Sequence, residues 1–503
     1  MQNHEKIKTL NELKKSGWES VSVKEEMRRN LIRMKQENVE LFPGIIGYEK
    51  TVLPQLEHAI LAKHDLILLG LRGQAKTKIL RMMTRFLDEY IPVVEGSEIN
   101  DDPLNPVSRY AKDIIKEKGE DTPVQWLHRS LRYGEKLATP DTTVADLIGD
   151  IDPIKAAAQK LNLADENVIN YGLVPRTNRG LFVINELPDL QPRIQVALLN
   201  IMQERDIQIR GFNIRIPLDV SMAFSANPED YTNRGNIITP LKDRIDAQVV
   251  THYPQDVETG MKITEQESNA FRNGSVRVTI HPLYRELIEE VAFQARRSEY
   301  VDQKSGVSTR MTITAMEQVY SAAERRALSN NESETRIRVS DLFYMVPALT
   351  GKMELVYEGE QEGVINVAKH IIGKAVTGTF RRYFPDPQRK EGEESPYSEI
   401  LNWFSIGNEI EIPDLLAEKE YQKELQKVDG LQKIVKKHVQ KSGDNVYVLM
   451  DMVLEGLHQN SMLGKEDMDQ KRSFSDMLGS MLGGMRDFGD EDDDDFDDFD
   501  RLN

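Results

Sequence analysis

Lys76 and Thr77 stand side by side at the end of the run Gly70-Leu71-Arg72-Gly73-Gln74-Ala75-Lys76-Thr77. A lysine and a threonine that close a glycine-bearing loop at the start of a helix point to phosphate chemistry. Loop amides and the helix N-terminus bind a β-phosphate, the ammonium reaches the β and γ oxygens, and the threonine hydroxyl sits on magnesium. The usual spacing is glycine, four residues, glycine, lysine, then serine or threonine; here Ala75 takes the place of the second glycine. Its extra methyl is expected to be tolerated on a right-handed backbone. Taken alone, the run also fits a strand–turn–helix with a chance lysine. Asn185-Glu186 offers a second set of groups. Glu186 suits a base that polarises an attacking water. Asn185 can accept from metal-bound water but carries no negative charge. Asn227, before Pro228, could orient the water or touch the γ-phosphate, or simply start a turn. Arg244 could reach a neighbouring subunit's γ-phosphate, although on sequence alone a surface ion pair is the favoured reading.

These residues need a parallel sheet behind them, because ligands of such sheets bind at the carboxyl ends of the strands. Leu66–Leu69 is too short for a helix and right for a buried strand. Gly180–Ile184 and Ser221–Ala226 read the same way, and Ile91–Val94 is another short apolar strand. Residues 190–204 have helical periodicity, with Ile194, Ala197, Leu198 and Ile201 on one face. Asp206–Arg210 and Asn213–Ile216 alternate around Gly211-Phe212 and predict a β-hairpin. Residues 1–40 read as one or two surface helices. Residues 97–145 read as an insertion, helical around Tyr110–Lys118 and Val124–Tyr133, and residues 154–170 as another inserted helix. After about residue 275 helices take over, at 283–298, 312–329, 340–356 and 363–380. A charged link at Pro385–Pro396 precedes a helical stretch over 397–470.

The chain has 503 residues, 39% hydrophobic and 29% charged, enough for two or three domains with a substantial core. Its net charge of −18 is uneven, since Asp487–Asp500 holds ten carboxylates and no base. The rest is only mildly acidic, so no nucleic-acid partner is expected. There is no cysteine, which excludes disulfides, thiolate metal sites and a cysteine nucleophile. The first residues have no apolar core, and no apolar run approaches ~18 residues, so a cytoplasmic protein without membrane contact is expected. The tail, with Phe488, Phe496 and Phe499 among its carboxylates, is expected to be disordered, or else to hook a basic partner. Met477, Met481 and Met485 ahead of it could pack against something or belong to a frayed helix.

In order, Phe42-Pro43-Gly44-Ile45-Ile46-Gly47, GLRGQAKT (70–77), TVADLIGDIDP (143–153), RGLFVINEL (179–187), QVALLNIMQER (195–205), FSANPEDYTNRG (224–235) and PLKDRI (240–245) resemble AAA+ ATPases of the magnesium-chelatase ATPase-subunit and MoxR-like branch. Gly306–Arg310 resembles that family's Ser-x-Arg lid opening, and the likeness covers about residues 40–355. It implies an α/β fold: an AAA+ parallel-sheet nucleotide domain with a pre-sensor-1 β-hairpin (207–216) and a helix-2 insertion (144–178), then an all-α lid and a helical C-terminal extension. The implied division is 1–40, 41–270, 271–385, 386–470 and a tail over 471–503. By the same resemblance Gly70, Gly73, Gln74, Ala75, Lys76 and Thr77 hold ATP, with Ile45, Ile46 and Tyr48 near adenine. Thr77 and Asn185 serve Mg2+, Glu186 activates water, and Asn227 is the first sensor. Arg310 is the second sensor, and Arg244, with Arg234 as a competitor, is the finger across a subunit boundary. The implied activity is ATP hydrolysis by a ring, expected to be a hexamer, that remodels a partner bearing a von Willebrand factor A domain. A magnesium or cobalt chelatase subunit and a slow, nucleotide-switched scaffold are the alternatives. Asn185, where the family has aspartate, predicts good binding with slow turnover.

Overall fold

The computed structural model describes residues 6–162, 165–209, 215–228, 236–270, 274–387, 395–439, 445–468 and 471–477. The chain divides into two compact units, Met1–Tyr253 and Pro254–Asn503.

In the first unit, strand β1 (Leu66–Leu69) is four apolar residues, all buried, as a strand covered on both faces requires. Four more strands complete its sheet: β2 (Tyr133–Leu137), β3 (Gly180–Asn185), β4 (Val220–Ala226) and β5 (Ala247–Val250). The order is β5-β1-β4-β3-β2 and every pairing is parallel, so all carboxyl ends open on one edge. Alternation along the strands divides the side chains between two cores. Leu66, Leu68, Leu181, Val183 and Ala223 join Ile79 and Leu80 of helix 76–82 on one side. Ile67, Leu69, Phe182, Ile184 and Phe224 join Ile194, Leu198 and Ile201 of helix Pro192–Gln203 on the other.

Two expectations for the insertions change. Val124–His128 is a strand, antiparallel to Tyr90–Val94 in a sheet of its own, and not the start of a helix. Its Trp126 packs edge-on against Trp18 and donates to the Ile7 carbonyl at 2.9 Å. The following residues, Tyr133–Leu137, form the edge of the main sheet. Among the described residues of 154–170, a two-turn helix, Pro153–Gln159, and a 3-10 turn, Glu166–Val168, come before Ile169–Tyr171 pairs with Gly149–Ile151. The hairpin is present as Asp206–Gln208 against Arg215–Pro217, with its tip (210–214) outside the described residues.

The N-terminal helices are more than surface helices. In helix Val23–Gln36, Val23, Met27, Leu31 and Met34 are buried in the same core as β1, each stabilising by about 1.5–3 kcal/mol relative to exposure. Glu26 accepts two hydrogen bonds from fully buried Arg132, at 2.7 and 2.6 Å, and Lys24 pairs with Asp65 at 2.8 Å.

The second unit is built around helices Pro282–Ala295, Arg310–Ser329, Val364–Tyr383 and Val446–Gln459, as expected of the C-terminal half. The stretch at 340–356 is broken into helices Val339–Phe343 and Val346–Thr350, with Pro347 opening the second. Two small sheets are added. Arg277–Thr279 pairs in parallel with Glu334–Arg336, and Ile410–Pro413, Lys471–Ser475 and Gly464–Met468 form an antiparallel sheet. Arg472 of that sheet is bidentate to Asp451 at 2.9 and 3.0 Å, and Tyr421 donates to the same carboxylate at 3.0 Å. The acidic stretch, with Phe488, Phe496, Phe499, Met481 and Met485, lies outside the described residues. Among the described residues no helix is long and apolar enough to cross a membrane.

Buried Glu289 takes a hydrogen bond from Thr264, whose hydroxyl also meets that of Thr312 at 2.8 Å. Burial pushes its carboxyl from 4.5 up to about 7. A raised acid stabilises fully below its unfolded value and loses that contribution as pH climbs through the folded value. The second unit is therefore expected to lose about 3 kcal/mol between these two pH values, a loss absent in Glu289→Gln. Urea titrations across the range give the difference. Separately, Glu26→Ala leaves Arg132 buried without its carboxylate and is expected to cost the first unit ~3–5 kcal/mol. A change in urea midpoint equivalent to under ~0.5 kcal/mol, typical of surface substitutions, would instead make this helix an appendage.

Candidate functional site

β1 delivers the chain into the loop 70–75 at the carboxyl edge of the sheet. Gly70 is required there by space: a Cβ would lie 1.9 Å from Thr251 Oγ1 and 2.1 Å from Gln74 Oε1. Thr251 follows β5, donates to Gln74 Oε1 at 2.7 Å and so ties the returning limb of the loop to the strand beside β1. Tyr48 donates to the Gln74 carbonyl at 3.1 Å and to the His252 carbonyl at 2.7 Å, and Tyr253 donates to the Arg72 carbonyl at 2.9 Å. Burial pushes the Tyr48 phenol up to about 12, so it stays a donor. Tyr48 thus braces the loop; Ile45 is buried in the core beside it and Ile46 is half-buried.

The loop turns through Gly73 at φ 72° and Ala75 at φ 57°. Ala75 is left-handed, contrary to the right-handed backbone expected of it, and such a conformation costs an L-residue roughly 1–2 kcal/mol. The helix Lys76–Met82 begins directly after it. Lys76 is buried, its Nζ donating to the Gly70 carbonyl and, at 3.0 Å, to the Leu71 carbonyl. Thr77 is half-buried in the first turn.

β4 lies between β1 and β3, which brings the other strand ends to the loop. Gly70 N donates to the Ala226 carbonyl at 3.2 Å, and Asn227 is the next, buried residue. Ser225 joins β4 to β3: its hydroxyl donates to Asn185 Oδ1 at 3.0 Å and accepts from Glu186 N at 3.3 Å. Glu186 is left-handed, at φ 54° and ψ 51°. Ala75 and Glu186 are thus two non-glycine residues held left-handed beyond the ends of β1 and β3, on either side of β4.

Three groups here had no signal in the sequence reading. Glu135, on β2, accepts from Asn185 Nδ2 at 2.6 Å, from Arg81 Nε at 2.8 Å and from the Tyr133 hydroxyl at 3.0 Å. Burial pushes its carboxyl up, but Arg81 and Tyr133 outweigh that and hold it below the ordinary carboxylate range. Thr251 and Tyr253 are the other two, marked only by following an apolar run. Of the remaining candidates, Arg244 is half-buried, donating to Gln203 Oε1 at 2.8 Å and to the Pro240 carbonyl at 3.0 Å. Arg310 belongs to the second unit, where it is exposed at the head of its helix and its amide donates to Ser308 Oγ at 3.2 Å. Arg234 lies outside the described residues.

No family model matches the chain. The magnesium-chelatase 38 kDa subunit of Cereibacter sphaeroides is 27% identical over 234 residues, which is 44% of this chain and 61% of that protein. Its counterpart from Rhodobacter capsulatus is 28% identical over 229 residues, or 44% and 59%. With this motif series they support an AAA+ ATPase of the chelatase type. The chain spans about three fifths of the length of the curated relatives it matches. A model of the BchI–BchD complex of magnesium chelatase covers 64% of this chain and 98% of that one, at 18% identity and a TM-score of 0.34, a likeness too loose to bear on the assignment.

In the first unit, Ala75→Gly relieves a left-handed alanine. The substitution is expected to stabilise the first unit by about 1 kcal/mol, read as a higher urea midpoint; an unchanged or lower midpoint would contradict a left-handed Ala75.

Proposed function

We propose that the first unit binds ATP at the loop 70–77 and hydrolyses it. The observation that carries this is the convergence of Lys76, Asn185-Glu186 and Asn227 on three adjoining strand ends of a β5-β1-β4-β3-β2 sheet. In this reading Lys76 exchanges the carbonyls of Gly70 and Leu71 for β- and γ-phosphate oxygens. Gly73, Gln74 and Ala75 present their amides to the phosphates, and Ile45 and Ile46 line the adenine side. Glu186 takes a proton from the attacking water, which Asn227 orients. Among the described residues no three His, Cys, Asp or Glu side chains cluster to hold a metal, so a cation here would depend on phosphate oxygens. The Thr77 hydroxyl and the Asn185 carbonyl are oxygen donors of the class magnesium accepts. When bound, magnesium would neutralise phosphate charge.

The finer reading follows the sequence resemblance. It makes the protein a ring, expected to be a hexamer, in which Arg244 reaches the neighbour's γ-phosphate and Arg310 reads the nucleotide from the lid. The ring drives or activates a partner carrying a von Willebrand factor A domain, in the cytoplasm. The division into N-terminal helices, nucleotide domain, lid, C-terminal helices and acidic tail belongs to the same reading. A metal-chelatase subunit is the second reading, favoured by the names of the sequence relatives.

Steady-state ATP hydrolysis tests the proposal. Magnesium-dependent turnover is expected, falling at least 100-fold in Lys76→Ala and in Glu186→Gln, as loss of a phosphate ligand and of a general base should. Turnover that survives Lys76→Ala would place the activity elsewhere, and binding without turnover would leave a nucleotide-switched scaffold.

A further inference from the structure

The motif series leaves one carboxylate beside Asn185 without a role, Glu135 in the middle of the edge strand β2. Glu135 Oε1 meets Asn185 Nδ2 at 2.6 Å, and Asn185 is the position where the site lacks a charge. Ser225 fixes which way the Asn185 carboxamide faces, since its hydroxyl donates to Oδ1 at 3.0 Å. The NH2 is thereby turned toward Glu135. An aspartate at 185 would set one carboxylate against another at the same distance, so the amide and Glu135 are chemically matched.

Three observations put Glu135 on the phosphate-loop side of the sheet. It pairs with Val183 across β2 and β3, so it shares a face with Val183 and, two residues on, with Asn185. Val183 packs in one core with Ile79 and Leu80 of the helix that starts at Lys76. On that helix Thr77 and Arg81 are four residues apart and lie on the same face, and Arg81 reaches Glu135 with Nε at 2.8 Å and a second nitrogen at 3.1 Å. Thr77, Asn185 and Glu135 therefore border one side of the loop.

We propose that Glu135 is the acidic member of the site for the nucleotide-bound divalent cation, supplying the negative charge that Asn185 lacks, with Arg81 as its counter-ion. This rests on the nucleotide reading above. Magnesium is commonly held by one or two carboxylates, directly or through its waters, together with phosphate oxygens. Among the described residues, Glu135 is the carboxylate joined to the Asn185 side chain.

The test is the affinity of the full chain for the hydrolysis-resistant analogue AMP-PNP, measured with magnesium and with EDTA. The ratio of the two dissociation constants reads the cation's contribution and is independent of turnover. Glu135→Gln is expected to lower that ratio at least tenfold. Glu135→Gln with Asn185→Asp is expected to bring it back to within threefold of the parent, which a merely structural role would not do. An unchanged ratio in Glu135→Gln overturns the proposal while leaving the nucleotide site intact, provided Lys76→Ala still abolishes binding. Absence of binding by the parent overturns both. Should Glu135→Gln fail to fold, Arg81→Gln serves instead. It keeps the carboxylate and removes its counter-ion, so the ratio should rise about threefold, and no rise overturns the assignment.

Discussion

The first unit depends on the lack of room behind Gly70. β1 ends between β4 and β5; at the first loop residue the amide donates to the Ala226 carbonyl at 3.2 Å, and a Cβ would stand 1.9 Å from Thr251 Oγ1. Only a residue without Cβ passes. Because Thr251 also holds Gln74 Oε1, the same contact that excludes a side chain at 70 fixes the far limb of the loop. The intervening residues must then close a short path, and they do so by turning left-handed at Gly73 and Ala75. A strand order that placed another strand beside β1 would leave Gln74 without its partner. Sheet order and loop conformation are thus one constraint.

The same economy of contacts holds along the strand ends. Ser225 uses its single hydroxyl to orient Asn185 and to receive the amide of Glu186, whose left-handed backbone turns the chain away from the sheet. Strain at Ala75 and Glu186 is sustained because the neighbouring strands overdetermine both positions. Behind them, the helix Val23–Gln36 fills the core on the loop-helix side and is pinned by Glu26 on Arg132.

What was legible in the sequence follows from what each element is made of. β1, β3 and β4 are continuous apolar runs because both faces are covered, and the helix at 192–203 shows its period because one face is buried. β2 was invisible. As an edge strand it carries Tyr133, Glu135 and Lys136, partly exposed, and polar edges are what sheets use to avoid pairing with other chains. The left-handed Ala75 was missed for a related reason, since residue type set the expectation and tertiary contacts set the angle. In the second unit, Arg472 and Asp451 are 21 residues apart, and the sheet they anchor is stabilised by that pairing and not by a local pattern. Lys76, Glu186 and Asn227 could be picked out as candidates because short local spacing marks them; Glu135 could not, because its contacts run across strands.

The edge position also accounts for where an ionised carboxylate can be kept. Asn185 is 6% exposed at the end of a strand with neighbours on both sides. A carboxylate there loses most of its hydration, which favours the neutral acid. One strand further out, the Glu135 side chain is 20% exposed, and Arg81, 63% exposed, supplies two charge-assisted hydrogen bonds. Those bonds outweigh desolvation and leave Glu135 ionised. The amide at 185, satisfied by Ser225 on its oxygen and by Glu135 on its nitrogen, is then the cheaper occupant of the buried position. Charge at this site is set by the difference in solvation between two adjacent strands.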